Sequence, residues 1–119
     1  MPHERPVSTH QLSDVEAAWL GALIEGEGCV HHPSGATHRW HITLANTDIE
    51  LIAAALRLTG VGRVYLVASE RPGSNRLAQR HANWAWVLAT QNDVRELAKQ
   101  LAPYCMKVRP ILGEVSSCS

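Results

Sequence analysis

The sequence predicts an α+β domain with the element order α-β-β-α-β-β-α, its helices gathered on one face of an antiparallel sheet. Three observations support this. Four short segments, "CVHH", "HRWHITLA", "VGRVYLVAS" and "NWAWVLAT", are rich in β-branched and aromatic residues, and the longer ones alternate apolar with polar side chains. Three other segments have helical spacing and open on capping residues. Alternation of this kind belongs to a sheet with one face packed and one face open. A chain of 119 residues, 45% of them hydrophobic, can bury one core and is not compositionally disordered.

Residues 1–12 read as a flexible tail and 113–119 as a second, leaving 13–112 as the domain. Ser13 opens "SDVE", a capping box in which its hydroxyl covers a free helix amide and Glu16 reaches back. The first helix is expected from about Asp14 to Gly26. Its large residues, Val15, Trp19, Leu20, Leu23 and Ile24, can pack under the sheet. Ala18, Ala22 and Gly26 follow at i, i+4 spacing, flanked by Ala17 and Gly21, a stripe of small side chains that lets another backbone approach. Either the helix is wholly core, or the stripe meets a second copy across a two-fold axis.

"CVHH" and "HRWHITLA" flank the turn "PSGAT". Trp40, Ile42 and Leu44 fall on one face of the second strand, with Arg39, His41 and Thr43 on the other. "NTD" is a helix N-cap signal, and the amphipathic "IELIAAALRL" ends at Gly60. In the third strand Val64 and Leu66 oppose Arg63 and Tyr65, and a polar, basic loop, "ERPGSNRLAQRHA", follows. Trp84, Trp86 and Leu88 form the core face of the fourth strand. "QNDVRELAKQLA" is the last helix, opened by Asn92 or Asp93 and broken by Pro103. "YCMKVRPILGEV" closes the chain as a short helix.

Composition excludes several classes. The longest apolar run is too short to span a bilayer, and the N-terminus has no signal-like hydrophobic stretch, so the expected place is the cytoplasm or an organelle or host compartment. Three cysteines without a CxxC pair argue against a disulfide framework or a zinc knuckle. His31, His32, His38 and His41 are too loosely spaced, with no cysteine pair, to suggest zinc. Net charge is zero, yet segments 29–45 and 61–91 hold five arginines against one glutamate, a local excess of +4 that can make one basic face.

The plainest breach of local rules is in "WLGALIEGEG". Carboxylates at a helix C-terminus oppose the helix dipole at a cost of about 0.3–1 kcal/mol each, yet Glu25 and Glu27 both stand there. A carboxylate beside unpaired carbonyls is a hard-oxygen site suited to Mg²⁺. Two such helices in contact would bring two Glu27 side chains together. Glu25 reads as either a ligand or an exposed surface acid.

This stretch resembles the LAGLIDADG motif of homing endonucleases, with glutamate for both acids and Gly21-Ala22 where the motif has Ala-Gly. "ITLANTDIELIAAALRLTGVGRVYLV" and "WAWVLATQNDVRELAKQLAPYCMKVR" are similar to the family's later strands and helices, so the resemblance covers about 14–112. It implies a saddle-shaped antiparallel sheet and, from the single motif, a homodimer. It also implies Mg²⁺- or Mn²⁺-dependent cleavage of both strands of a pseudo-palindromic duplex DNA. The metal would rest on Glu27 and the backbone at Gly26. Lys107, with Arg109 second, is the implied basic residue near the scissile phosphate, and Asn46 or Thr43 the implied water-positioning group. Arg39, His41, Thr43, Arg63 and Tyr65 would face the major groove, with Arg71, Arg76 and Arg80 on flanking phosphates. Ala18, Gly21, Ala22, Glu25 and Gly26 would lie between subunits. The rival readings are a catalytically inactive DNA- or RNA-binding regulator or splicing maturase of the same fold, and a plain interaction module with incidental acids.

Overall fold

In the computed structural model, which describes residues 7–33, 39–67 and 83–113, the elements follow the expected order. They are α1 (Asp14–Glu27), β1 (Gly28–His31), β2 (His41–Asn46), α2 (Ile49–Thr59), β3 (Arg63–Val67), β4 (Asn83–Leu88), α3 (Gln91–Leu101) and a 3-10 turn at Arg109–Leu112. The strands form one antiparallel sheet in the order β1-β2-β4-β3. Among the described residues no helix is long and apolar enough to cross a membrane. Arg71, Arg76, Arg80 and all but the first residue of the 113–119 tail lie outside the described residues.

Local chemistry sets the ends of these elements. Ser13 Oγ accepts from the Glu16 amide and Glu16 Oε1 accepts from the Ser13 amide, completing the capping box. Asp48, the last residue of "NTD", caps α2 by accepting from the Glu50 amide. Gly60 ends α2 in the left-handed region, at φ 71°. No loop separates α1 from β1. The chain turns back so tightly that a Cβ on Gly28 would lie 2.9 Å from Ile24 atoms.

Strand register brings apolar rows together. Val30, Ile42 and Leu88 align across β1, β2 and β4, and Gly28, Leu44, Trp86 and Val64 align across all four strands. Ile42, Leu44, Trp86 and Leu88 are buried with Leu20 and Ile24 of α1, Ile52 and Ala55 of α2, and Val94, Leu97 and Leu101 of α3. The three helices therefore cover this one face. Trp86 satisfies its buried indole N–H on the Val61 carbonyl at 2.9 Å.

Four details differ from the sequence reading. Val15 and Trp19 do not pack under the sheet but are 79% and 39% exposed, because α1 turns Ala17, Leu20, Gly21 and Ile24 inward instead. Leu66 shares the helix-side face with Val64 yet is 58% exposed, on a strand at the edge of the sheet. Thr90, rather than Asn92 or Asp93, is the N-cap of α3. Asp93 is buried, and its Oδ1 accepts from the Ser8 amide, the Thr9 amide and the Thr9 hydroxyl at 2.7–3.0 Å. That contact bears on the predicted tail. Residues 7–12 have no regular secondary structure but pack as a strap: the His10 amide donates to the Thr59 carbonyl, Gln100 pairs with Leu12 and His10 backbone groups, and Leu12 joins the core.

Candidate active site

The C-terminal end of α1 gathers residues that are far apart in sequence. Glu27 is the last residue of α1 and is exposed. Because Gly28 pairs with Leu44 in an antiparallel ladder, β2 continues past the start of β1, and Asn46 comes to lie beside the helix end. Asn46 donates through Nδ2 to Glu27 Oε1 at 2.8 Å. Its Oδ1 accepts from the Asp48 amide at 2.8 Å, which fixes which way the side-chain amide points. Asn46 is therefore a link between the cap of α2 and Glu27, while Asp48 does the capping. Thr43, the other candidate for positioning water, pairs with Cys29 and Val87 on the opposite face of the sheet and does not join this group.

Lys107 arrives from the far end of the chain. α3 stops at Leu101 and the following segment crosses α1, where a Cβ on Gly21 would lie 2.8 Å from the Tyr104 Cβ. The Lys107 ammonium donates to the Gly28 carbonyl, one residue past Glu27, at 2.9 Å. Arg109 is directed elsewhere, with Nε donating to the Ala102 carbonyl at 3.1 Å, so of the two basic candidates only Lys107 reaches the helix end.

Glu25 has a role the sequence reading missed. Its Oε1 accepts from the Met106 amide at 2.9 Å, the Lys107 amide at 3.1 Å and the Cys105 thiol at 3.4 Å. The Lys107 amide holds the Glu25 carboxyl below its ordinary range, against an opposing push from desolvation. Burial raises the Cys105 thiol, which keeps it protonated and able to donate. The available signal was a carboxylate placed against a helix dipole, which implies donors from somewhere, but nothing in the sequence names donors 80 residues away.

The residues expected between subunits differ in their contacts within the chain. Gly21 and Glu25 are spent within their own chain, on Tyr104 and on residues 105–107. Ala22 and Gly26 are exposed, a Cβ on Gly26 would meet open space, and Ala18 is half-buried. With Val15 and Trp19 they form an apolar stripe along the outer side of α1 that ends at Glu27.

The sheet face turned away from the helices carries the residues expected to read DNA. Thr43, Val87 and Arg63 align in one row, and Ala45, Ala85 and Tyr65 in the next. Arg39, Arg63, Tyr65 and Gln91 line an open cleft of about 490 Å³. Gln91 was not singled out in the sequence, yet its amide pairs with both backbone groups of Trp40 at 2.8 and 2.9 Å, holding the strand approach that carries Arg39. His41 and His31 face each other across strands, their rings edge-on at 5.6 Å. Burial, with the positive neighbours His31 and Arg39, pushes His41 below its ordinary value.

The donor chemistry at the helix end fits a hard divalent cation, but only in part. The helix end presents the Glu27 carboxylate together with the carbonyls that every helix C-terminus leaves without intrahelical partners, that of Gly26 among them. Among the described residues no group of three or more histidine, cysteine or acidic side chains could hold a metal.

Comparison with solved structures places the fold. The homing endonuclease I-CvuI in complex with the I-CreI target, in 2 mM Mg with the DNA not cleaved, superposes with a TM-score of 0.58 at 14% identity, over 83% of this chain and 64% of that one. The same enzyme with its Sro1.3 target in 2 mM Ca gives 0.55 at 11% identity, over 84% and 65%. The archaeal intron-encoded homing endonuclease I-Vdi141I, complexed with DNA, gives 0.55 at 17% identity, over 83% and 64%. At these identities the likeness is one of fold, and this chain spans less than two thirds of the length of each of those chains. No family model matches the sequence, and no curated protein sequence matches it.

Proposed function

We propose that this protein is a homing endonuclease of the LAGLIDADG type, which as a homodimer cuts both strands of a near-palindromic duplex DNA with Mg²⁺ or Mn²⁺. The observation that carries the reading is the meeting of Glu27, Asn46 and Lys107 at one helix end, where the exposed apolar stripe of α1 also ends. The DNA-bound homing endonucleases that share the fold add support.

In this reading the outer stripes of two α1 helices pack together, and each chain contributes Glu27 and the Gly26 carbonyl to a shared centre. The metal, when bound, would activate water and stabilise charge on the phosphate and the leaving 3′ oxygen. The protein's own groups do the rest. Asn46 orients the Glu27 carboxylate and presents a polar amide for an attacking water. The Lys107 ammonium stands one residue past Glu27 and adds positive charge where a phosphate would sit. Arg39, Arg63 and Tyr65 extend from the open sheet face toward base edges and backbone, the arginines suited to guanine or phosphate.

The test is cleavage of a randomised duplex library with Mg²⁺, with Ca²⁺ and Glu27→Gln as controls. The expected result is double-strand cuts at a near-palindrome, reduced about a thousand-fold or more in both controls while specific binding persists. Specific binding without cutting by the unaltered protein would assign it instead as a regulator or maturase. The absence of both binding and cutting would remove the nuclease reading.

A further inference from the structure

The acids of the motif differ in role, and that of Glu25 reaches the site indirectly. We infer that Glu25 is a positioning residue whose carboxylate fastens the backbone of Met106 and Lys107 to α1 and thereby sets where the Lys107 ammonium stands. The inference rests on the proposed function for the meaning of Lys107, but its geometry does not.

One stripe of α1 makes the attachment. Gly21, Glu25 and Gly28 stand at i, i+4 and i+7, on a single side of the helix and its end. The segment after α3 runs along this side in step with them. Tyr104 rests on Gly21, the amides of Met106 and Lys107 donate to Glu25, and Lys107 Nζ donates to the Gly28 carbonyl. Only glycine at 21 admits this approach, since a Cβ there would lie 2.8 Å from that of Tyr104.

The chemistry explains why a carboxylate is tolerated against the dipole. After Leu101 the chain leaves the helix, so the amides at 106 and 107 need an acceptor. A carboxylate oxygen makes charge-assisted bonds to such amides, roughly twice as strong as neutral ones. Lysine is a point charge on a flexible four-carbon stem and would otherwise sample many positions. Held at its backbone by Glu25 and at its tip by Gly28, it keeps one. A displacement of about 1 Å at such a group can cost about a hundred-fold in rate.

Lys99 and Lys107 are the only two lysines, and Lys99 is exposed on α3, so it serves as an internal reference. The test is trace acylation of the whole protein with an amine reagent, read by mass spectrometry as the labelling ratio of Lys107 to Lys99. Glu25→Ala should raise that ratio several-fold. Glu25→Gln, which keeps an Oε1 acceptor, should stay near the unaltered protein. An unchanged ratio in Glu25→Ala, or Glu25→Gln labelling like Glu25→Ala, would overturn the inference. Should Glu25→Ala fail to fold, hydrogen exchange on the unaltered protein decides: the Met106 and Lys107 amides should be protected, and free exchange at both would overturn it. Neither measurement needs DNA. In single-turnover cleavage, Glu25→Ala should slow the rate about ten- to a hundred-fold with DNA affinity within about two-fold, and Glu25→Gln should recover most of it. Loss of affinity in step with rate would make Glu25 merely structural. If the unaltered protein cuts no DNA, the nuclease reading fails while the labelling and exchange results still judge the attachment.

Discussion

The inner and outer sides of α1 are both apolar, yet among the described residues only the inner one is covered. The inner side, Ala17, Leu20, Gly21 and Ile24, is buried against the sheet, α3 and Tyr104. The outer side, Val15, Trp19, Ala22 and Gly26, has large side chains near the start of the helix and small ones near its end, all exposed. The inner side is packed to the point where one added methyl collides; the outer side has room for a whole backbone. In the proposed homodimer the outer side is the one that a second α1 covers. A stripe that narrows to Ala22 and Gly26 just before Glu27 would bring two helices closest where the carboxylates stand.

Substitutions along α1 should separate the two sides, the largest effect falling inside. Leu20→Ala should cost about 2–5 kcal/mol of unfolding free energy in denaturant titration, against about 0.5 kcal/mol or less for Val15→Ala in the dissociated chain. Equal costs would mean that the two sides are not distinct. Next comes Gly21→Ala, whose new methyl meets the Tyr104 Cβ and should cost about 1–3 kcal/mol. The neighbouring Ala22→Leu should leave the folded monomer within about 0.5 kcal/mol yet shift sedimentation from dimer to monomer. A dimer that survives leucine at 22 would place the subunit contact elsewhere.

A smaller effect concerns the open sheet face. His41 has a lowered folded-state value, so the unfolded chain binds the proton more readily. Its contribution is therefore complete above the ordinary value of 6.5 and is lost as pH falls from there through the lowered folded value. Between pH 7.5 and 5.5 the unaltered protein should lose more stability than His41→Asn, measured by urea unfolding at both pH values. An equal loss in the variant would show that His41 is not the group responsible.

What the sequence disclosed follows the range of the interactions involved. The capping box at Ser13 and Glu16, the left-handed glycine at 60 and the alternation through Ile42 and Leu44 are settled within a few residues, and each was legible. So was the place of Glu27 at the end of α1. The partners of Glu25 lie 80–82 residues away and those of Asp93 lie 84–85 away, and no local pattern points to them. The division of α1 was hidden for another reason. A helix apolar nearly all round has no periodic contrast to show which side faces the core. Leu66 illustrates the same limit in the sheet: alternation names its face, but only topology shows that β3 is an edge.

In the proposed function each chain holds half of a site completed by a second Glu27. Subunit mixing tests it most directly. Unaltered protein and Glu27→Gln are combined at fixed total concentration, allowed to exchange subunits, and assayed for double-strand cleavage of a selected target. Activity should fall as the square of the unaltered fraction, because only dimers with two Glu27 residues would cut both strands. A fall in simple proportion to that fraction would mean that one chain carries a complete site, and would contradict it.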